Sequence, residues 1–176
     1  MKKVILLFAI IAVTLATSCT KEKTIAIDSK QLIFNVDSVP VAGPLKETSV
    51  AKYDVDEFAK QNKINLGSFK EFKFKNILFK ITAGNLRFDD YKFIKISIKT
   101  ANKSEKEIVT QVDIPVGTDK EFTVTAIPNV NVLEYAQDGD VTMTFFTETK
   151  ADHTPEGTIT ALPSIDALGI TGGLFK

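Results

Sequence analysis

One cysteine and one histidine are the strongest candidate reactive groups in this chain of 176 residues. His153 lies in the polar stretch Ala151-Asp152-His153-Thr154-Pro155. Nucleophilic catalysis needs a base beside its nucleophile, and no second histidine or further cysteine completes such a pair, so His153 reads as a loop residue. Structural zinc is tetrahedral with nitrogen and sulfur ligands, and a single imidazole does not supply that set. Carboxylates remain: Asp54 with Asp56 and Glu57, Asp89 with Asp90, and Asp138 with Asp140. Calcium loops gather about six to eight oxygens around a glycine turn, and none of these runs has that form. Helix capping and turn formation account for all three clusters. The expectation is a protein with no catalytic residue, no metal and no cofactor, and hence not an enzyme.

Cys19 closes the sequence MKKVILLFAIIAVTLATSC. Lys2 and Lys3 give a positive start, residues 4–16 an uncharged apolar run, and Ala16-Thr17-Ser18 small residues before the cysteine, which together have the form of an export signal. The apolar run is shorter than the about 20 residues that cross a bilayer, which disfavours a permanent transmembrane helix. A single cysteine forms no disulfide within the chain, so in an exported protein it is a reactive thiol unless it is modified.

The run of small residues into Cys19 resembles the lipobox of bacterial lipoproteins, in which a peptidase cuts before the cysteine and lipid is attached to it. Ala16 stands where leucine is most frequent, with Leu15 one place upstream. The resemblance covers the leader alone. It implies residues 1–18 as signal peptide, lipidation at Cys19 and 19–29 as a lipidated tether, and the remaining length suits one domain and not two, expected over 30–176. Two or three acyl chains hold stably to a membrane at about 0.8 kcal/mol per buried methylene, so the protein would sit on a membrane without spanning it. Lys21-Glu22-Lys23 partly resembles the tether of lysine and acids that sends Bacteroidota lipoproteins to the cell surface. That likeness favours an outer-membrane, surface-exposed position over a periplasm-facing one. Asp37-Ser38-Val39 fits the O-glycosylation pattern of that phylum, with Ser38 as acceptor.

Charge argues against nucleic acid. Formal net charge is zero, and removal of the leader takes away Lys2 and Lys3 and no acid, leaving the mature chain slightly negative. Arg87 is the only arginine, so the bidentate fork that reads phosphates and base edges is nearly absent. The lysines alternate with apolar residues, as in Phe72-Lys73-Phe74-Lys75 and Ile94-Lys95-Ile96-Ser97-Ile98-Lys99, which places them on solvated outer faces of strands. Carbohydrate has weak support as a ligand, because the chain has no tryptophan and only three tyrosines, and its 13 phenylalanines mostly fall at alternating core positions.

Period-two alternation sets the architecture. Leu32, Phe34 and Val36 share one face of a first strand, and a second is expected over 47–55 after a turn at 40–44. Phe72 and Phe74 are even and Ile77, Phe79 and Ile81 odd, which predicts a bulge near Lys75-Asn76. Tyr91 and Phe93 are odd and Ile94, Ile96 and Ile98 even, which predicts a second break near Phe93-Ile94. A hairpin turns at Asn102-Lys103-Ser104 into a strand carrying Ile108, Thr110, Val112 and Ile114. Phe122 and Val124 mark another strand before Pro128. Val141, Met143 and Phe145 mark a further one, and 158–162 the last. Beyond Pro163 no regular element is assigned, because Gly169, Gly172 and Gly173 weaken one. Capping-box spacing at Asp54 and Glu57, and again at Asn131 and Glu134, predicts two short helices between strands, the first ending near Asn62.

These elements predict an all-β fold, an antiparallel sandwich of about seven to nine strands with one or two short crossover helices. In style it is similar to the small lysine-rich lipoproteins of Bacteroidota with immunoglobulin-like or LEA-like domains, without a motif to which active residues could be carried. The expected function is a non-catalytic, lipid-anchored envelope module that binds or assembles with a protein partner. A carrier or sensor for an apolar ligand comes second and a carboxylate-based hydrolase third.

Overall fold

Alternation becomes strand pairing in the computed structural model, which describes residues 21–27, 30–37, 43–53, 55–62, 64, 68–115, 117–150 and 156–171. In chain order the elements are β1 (Lys21–Ile27), β2 (Leu32–Val36), β3 (Gly43–Lys52), α1 (Val55–Gln61), β4 (Phe69–Gly84), β5 (Phe93–Lys99), β6 (Lys106–Asp113), β7 (Glu121–Thr125), α2 (Leu133–Gln137), β8 (Asp140–Thr149) and β9 (Gly157–Thr171). One sheet runs β1-β9-β4-β7, with β2 also on β9, and the other runs β3-β8-β5-β6. All the strand pairs are antiparallel. The fold is therefore the expected all-β sandwich, with nine strands among the described residues.

The two sheets meet through their alternate side chains. Leu32, Phe34 and Val36 are buried as one face of β2, and Val141, Met143 and Phe145 as one face of β8. Phe145 lies at the centre, with ring centroids 5.9 Å from Phe34, 5.6 Å from Phe79 and 6.0 Å from Tyr91. A second aromatic group holds α1 against the sheet: Phe58 lies 5.9 Å from Phe69 and 6.3 Å from Phe72.

The bulge expected near Lys75-Asn76 is present. The β4–β9 register shifts between Phe74 and Asn76, and Phe72, Phe74, Ile77 and Phe79 are all buried on the two sides of it. Further shifts fall at Phe69/Glu71 and Ile81/Ala83. The second expected break is corrected. Tyr91 is buried, but Phe93 is on the outer face, 5.8 Å from Phe146, so the phase changes at the bend of Lys92, before β5 begins. In the β5–β6 pair the extra residues belong to β6, whose register shifts twice. For that reason adjacent Ile108 and Val109 are both buried while Thr110 is exposed.

Other boundaries also move. β3 begins at Gly43 and ends at Lys52, and Val55 belongs to α1. Seven residues of the stretch read as tether form β1, where Ile25 and Ile27 turn towards the core. β9 continues through Pro163 to Thr171. Pro163 faces Ile77 of β4, but on the other edge of β9 it falls in the gap between the β2 pairing, which ends at Ala161, and the β1 pairing, which starts at Ile165. A residue without an N–H is tolerated where one edge is unpaired. Gly84 and Gly157 pair at the far end with positive φ of 86° and 151°. A Cβ on Gly84 would lie 2.1 Å from the Glu156 carbonyl oxygen, so this close approach requires glycine.

The Asn102 hairpin is present and is tied to α2. The Asp138 carboxylate accepts from the Thr100 hydroxyl and, at 3.0 Å, from the Asn102 side-chain amide. These two bonds, that of Thr100 foremost, hold its pKa below the usual 3.8. The Asn131–Glu134 capping box is not formed. Asn131 Oδ1 accepts from Leu133 N at 3.0 Å and from Phe72 N at 3.1 Å, which fastens α2 to β4, while Glu134 pairs with Lys103 at 3.0 Å.

Two predictions follow from this packing. Phe79→Ala should cost about 3–5 kcal/mol in chemical denaturation, whereas Lys73→Ala, which removes only a half-exposed pair with Glu71, should cost at most about 1 kcal/mol. Comparable losses would place Phe79 outside the core. For Asp138, a depressed carboxylate contributes stability above its ordinary pKa and loses it as pH falls through its folded value, below 3.8. Asp138→Asn should make the acid limb of the stability curve shallower, and an unchanged limb would contradict the hydrogen-bonded cluster.

Candidate functional site

The carboxylates singled out in the sequence are separated by the fold and mostly hold turns. Asp89 pairs with Arg87 at 3.1 Å and accepts from Gly117 N at 3.1 Å, while Asp90 accepts from Arg87 N at 3.0 Å in the 3-10 turn Phe88–Asp90. Asp138 ties the hairpin as above, and Asp140 is exposed at the start of β8. On α1, Asp56 is exposed and Glu57 accepts from Gln61 Nε2 at 3.0 Å. Among the described residues no group of three or more His, Cys, Asp or Glu side chains could hold a metal ion. Cys19, Ser38, Asp54 and His153 lie outside the described residues.

A recess instead opens at the end of the sandwich that carries the two helices. Tyr53 stands between the end of β3 and the start of α1, its carbonyl accepting from Val55 N at 3.0 Å. On one side of it lies a cleft of about 380 Å³, walled by Ile27, Val55, Phe58 and Phe72 and rimmed by Lys30, Glu57 and Gln61. On its other side Lys52, Asp56, Ala136, Gln137 and Gly139 line a hollow of about 510 Å³. Beneath it, between the sheets, a void of about 10 Å³ touches Phe72, Phe74, Tyr135 and Val141. Tyr53 is the wall common to all three.

Its hydroxyl is buried and has no hydrogen-bond partner among the described residues. Burial pushes its pKa up to about 12, so at neutral pH the phenol is a hydrogen-bond donor and not a base. An apolar wall, one uncommitted polar group at depth and a mixed ionic rim are the makings of a binding site. They provide no nucleophile and base pair.

Tyr91 also has a buried hydroxyl without a partner among the described residues. It lies in the core, where burial raises its pKa, with Asp90 and Glu47 adding to the effect. Glu47, half-buried on β3, is itself raised by burial and then by Asp37. The outer face of the five-stranded sheet has a groove of about 430 Å³, but its charges are committed to one another, Lys73 with Glu71 at 2.7 Å and Lys75 with Asp166 at 3.4 Å. Tyr53 and Glu47 carried no sequence signal beyond residue type. The expected strand over 47–55 placed Tyr53 within a strand, whereas the structure ends β3 at Lys52 and puts Tyr53 at the junction with α1.

No protein-family model matches the sequence, and no curated protein matches it. Among solved structures, one of carbohydrate-binding modules from the β-sandwich superfamily aligns at 13% identity and a TM-score of 0.35. The alignment covers 90% of this chain, which spans 62% of that one. A chain of Desmodium yellow mottle tymovirus aligns at 7% identity and a TM-score of 0.28, covering 89% of this chain and 91% of that one. Overlaps this low carry no argument about function, and the assignment of a sandwich rests on the strand pairing itself.

Proposed function

We propose that this chain is a non-catalytic, lipid-anchored module of the cell envelope, held through Cys19 to the outer membrane and turned to the cell surface, that receives its partner at the Tyr53 cleft. The observation that carries the binding reading is the uncommitted Tyr53 hydroxyl against the wall of an open, largely apolar recess. A buried polar group left unpaired costs about 1–3 kcal/mol, a cost that a ligand offering an acceptor would remove. The anchor rests on the leader and its cysteine. The apolar wall of Ile27, Val55, Phe58 and Phe72 favours a second reading, a carrier or sensor for an apolar ligand.

Mass spectrometry of protein from its native envelope should find acyl chains on Cys19. A soluble exported form with a free Cys19 thiol would remove the anchor from this account.

Tyr53→Phe separates a binding role from a structural one. It should stabilise the isolated protein by about 1 kcal/mol, because it deletes an unpaired buried hydroxyl. A photo-crosslinker at Gln61, on the cleft rim, should yield a discrete protein adduct in intact cells that weakens with Tyr53→Phe, while one at Asp113, at the opposite end, should not. Co-purified lipid in place of a protein adduct would favour the carrier. A destabilised Tyr53→Phe protein, or equal adducts from both positions, would discard the cleft as the site.

A further inference from the structure

We infer that the helix-capped end of the sandwich rests against the lipid bilayer, leaving the end marked by Gly84 and Gly157 pointing away from it. The inference rests on the Cys19 anchor proposed above and adds an orientation to it. β1 begins at Lys21 and is paired with β9 from its first residue, Lys21 with Thr171, through seven consecutive positions. Only Thr20 separates that paired strand from Cys19. Two residue steps span at most about 7 Å, so an acylated Cys19 leaves no free tether and brings the start of β1 to the headgroups.

The topology decides what accompanies it there. The start of β4 lies beside the end of β9, with Phe69 opposite Gly169, and Lys70 reaches Glu22 of β1 at 2.5 Å. α1 packs on Phe69 and Phe72, and α2 is fastened to Phe72 through Asn131. The hollow between these helices, lined by Val55, Asp56, Ala136 and Gln137, therefore faces the membrane side, while the Tyr53 cleft opens beside Ile27, the end of β1 farthest from Cys19. β4 runs sixteen residues to the opposite end, roughly 50 Å at about 3.3 Å per residue. Arg87, Asp89 and Asp119, with their mutual ion pairs, are carried out to that distance.

The sequence has no tryptophan, so single-tryptophan reporters are clean. Full-length lipidated protein carrying Lys60→Trp on α1, or Asp113→Trp at the end of β6, would be reconstituted into phosphatidylcholine vesicles with nitroxide-labelled headgroups. Vesicle flotation is scored in parallel. Retention with quenching of Lys60→Trp and full emission from Asp113→Trp is the expected result. Retention with equal quenching, or with quenching of Asp113→Trp alone, overturns the orientation and leaves the anchor standing. Failure to float overturns the anchor and the orientation with it. A third protein, with a Gly/Ser segment of about 20 residues inserted between Thr20 and Lys21, gains a flexible span of roughly 25 Å and should float yet lose the quenching of Lys60→Trp. Retained quenching there would overturn the short connection as the cause of the orientation, since the end would then be held to lipid without it.

Discussion

The contact of Phe145 with Phe34, Phe79 and Tyr91 is the interaction on which the remaining structure depends. Phe145 belongs to one sheet, while Phe34 and Phe79 belong to the other, and their centroids lie within 6 Å of its ring. Two sheets packed face to face keep a spacing of about 10 Å, which large interdigitating side chains fill. Aromatic rings suit this role because each removes a large area from water and meets its neighbours edge-on or tilted, as here. Without that layer the two sheets would expose an apolar face each, and the bulges, corners and helices would have nothing to bend around.

Those bulges follow from the same constraint. β4 is sixteen residues long and must keep Phe72, Phe74, Ile77 and Phe79 on the core while the twisted sheet curves. An extra residue at Lys75 restores the phase after the bend. The open edges are closed locally, one by Ile127 N donating to the Ile108 carbonyl at 2.8 Å, the other by Ile33 N donating to the Ser49 hydroxyl at 3.2 Å. Unpaired edges invite association with other chains, and these links tie the two sheets together at their corners, although Ile33 and Val50 stay exposed beside one of them.

Much of this was legible in the sequence, because alternation reports burial on one face directly. Phe72 to Ile81 revealed both the strand and its bulge, and the Asn102 turn revealed a hairpin. Legibility failed where a residue serves a partner distant in sequence. Phe93 alternates like a core residue yet packs on Phe146 outside, and the sequence does not say which of two apolar faces is inner. The glycines after Pro163 argue against a regular element there, yet β9 continues because β1 and β4 pair with it on both sides, and Pro163 itself is tolerated where β1 and β2 abut along β9. Asn131 and Glu134 had capping spacing, but Phe72 N and Lys103 were better placed to take them. The cleft was illegible for the same reason, since its walls come from β1, β4 and α1 and meet only through tertiary packing.

The two tyrosines with unpaired hydroxyls show how a site differs from a packing compromise. Tyr91 lies at the centre of the sandwich against Phe145, and its ring contributes more by filling the core than its hydroxyl costs by going unpaired. None of the four hollows described above has Tyr91 in its lining. Tyr53 bears the same chemical penalty beside two open hollows and at the junction of a strand and a helix. Equal chemistry thus has unequal consequences, and access determines which of the two can act in binding.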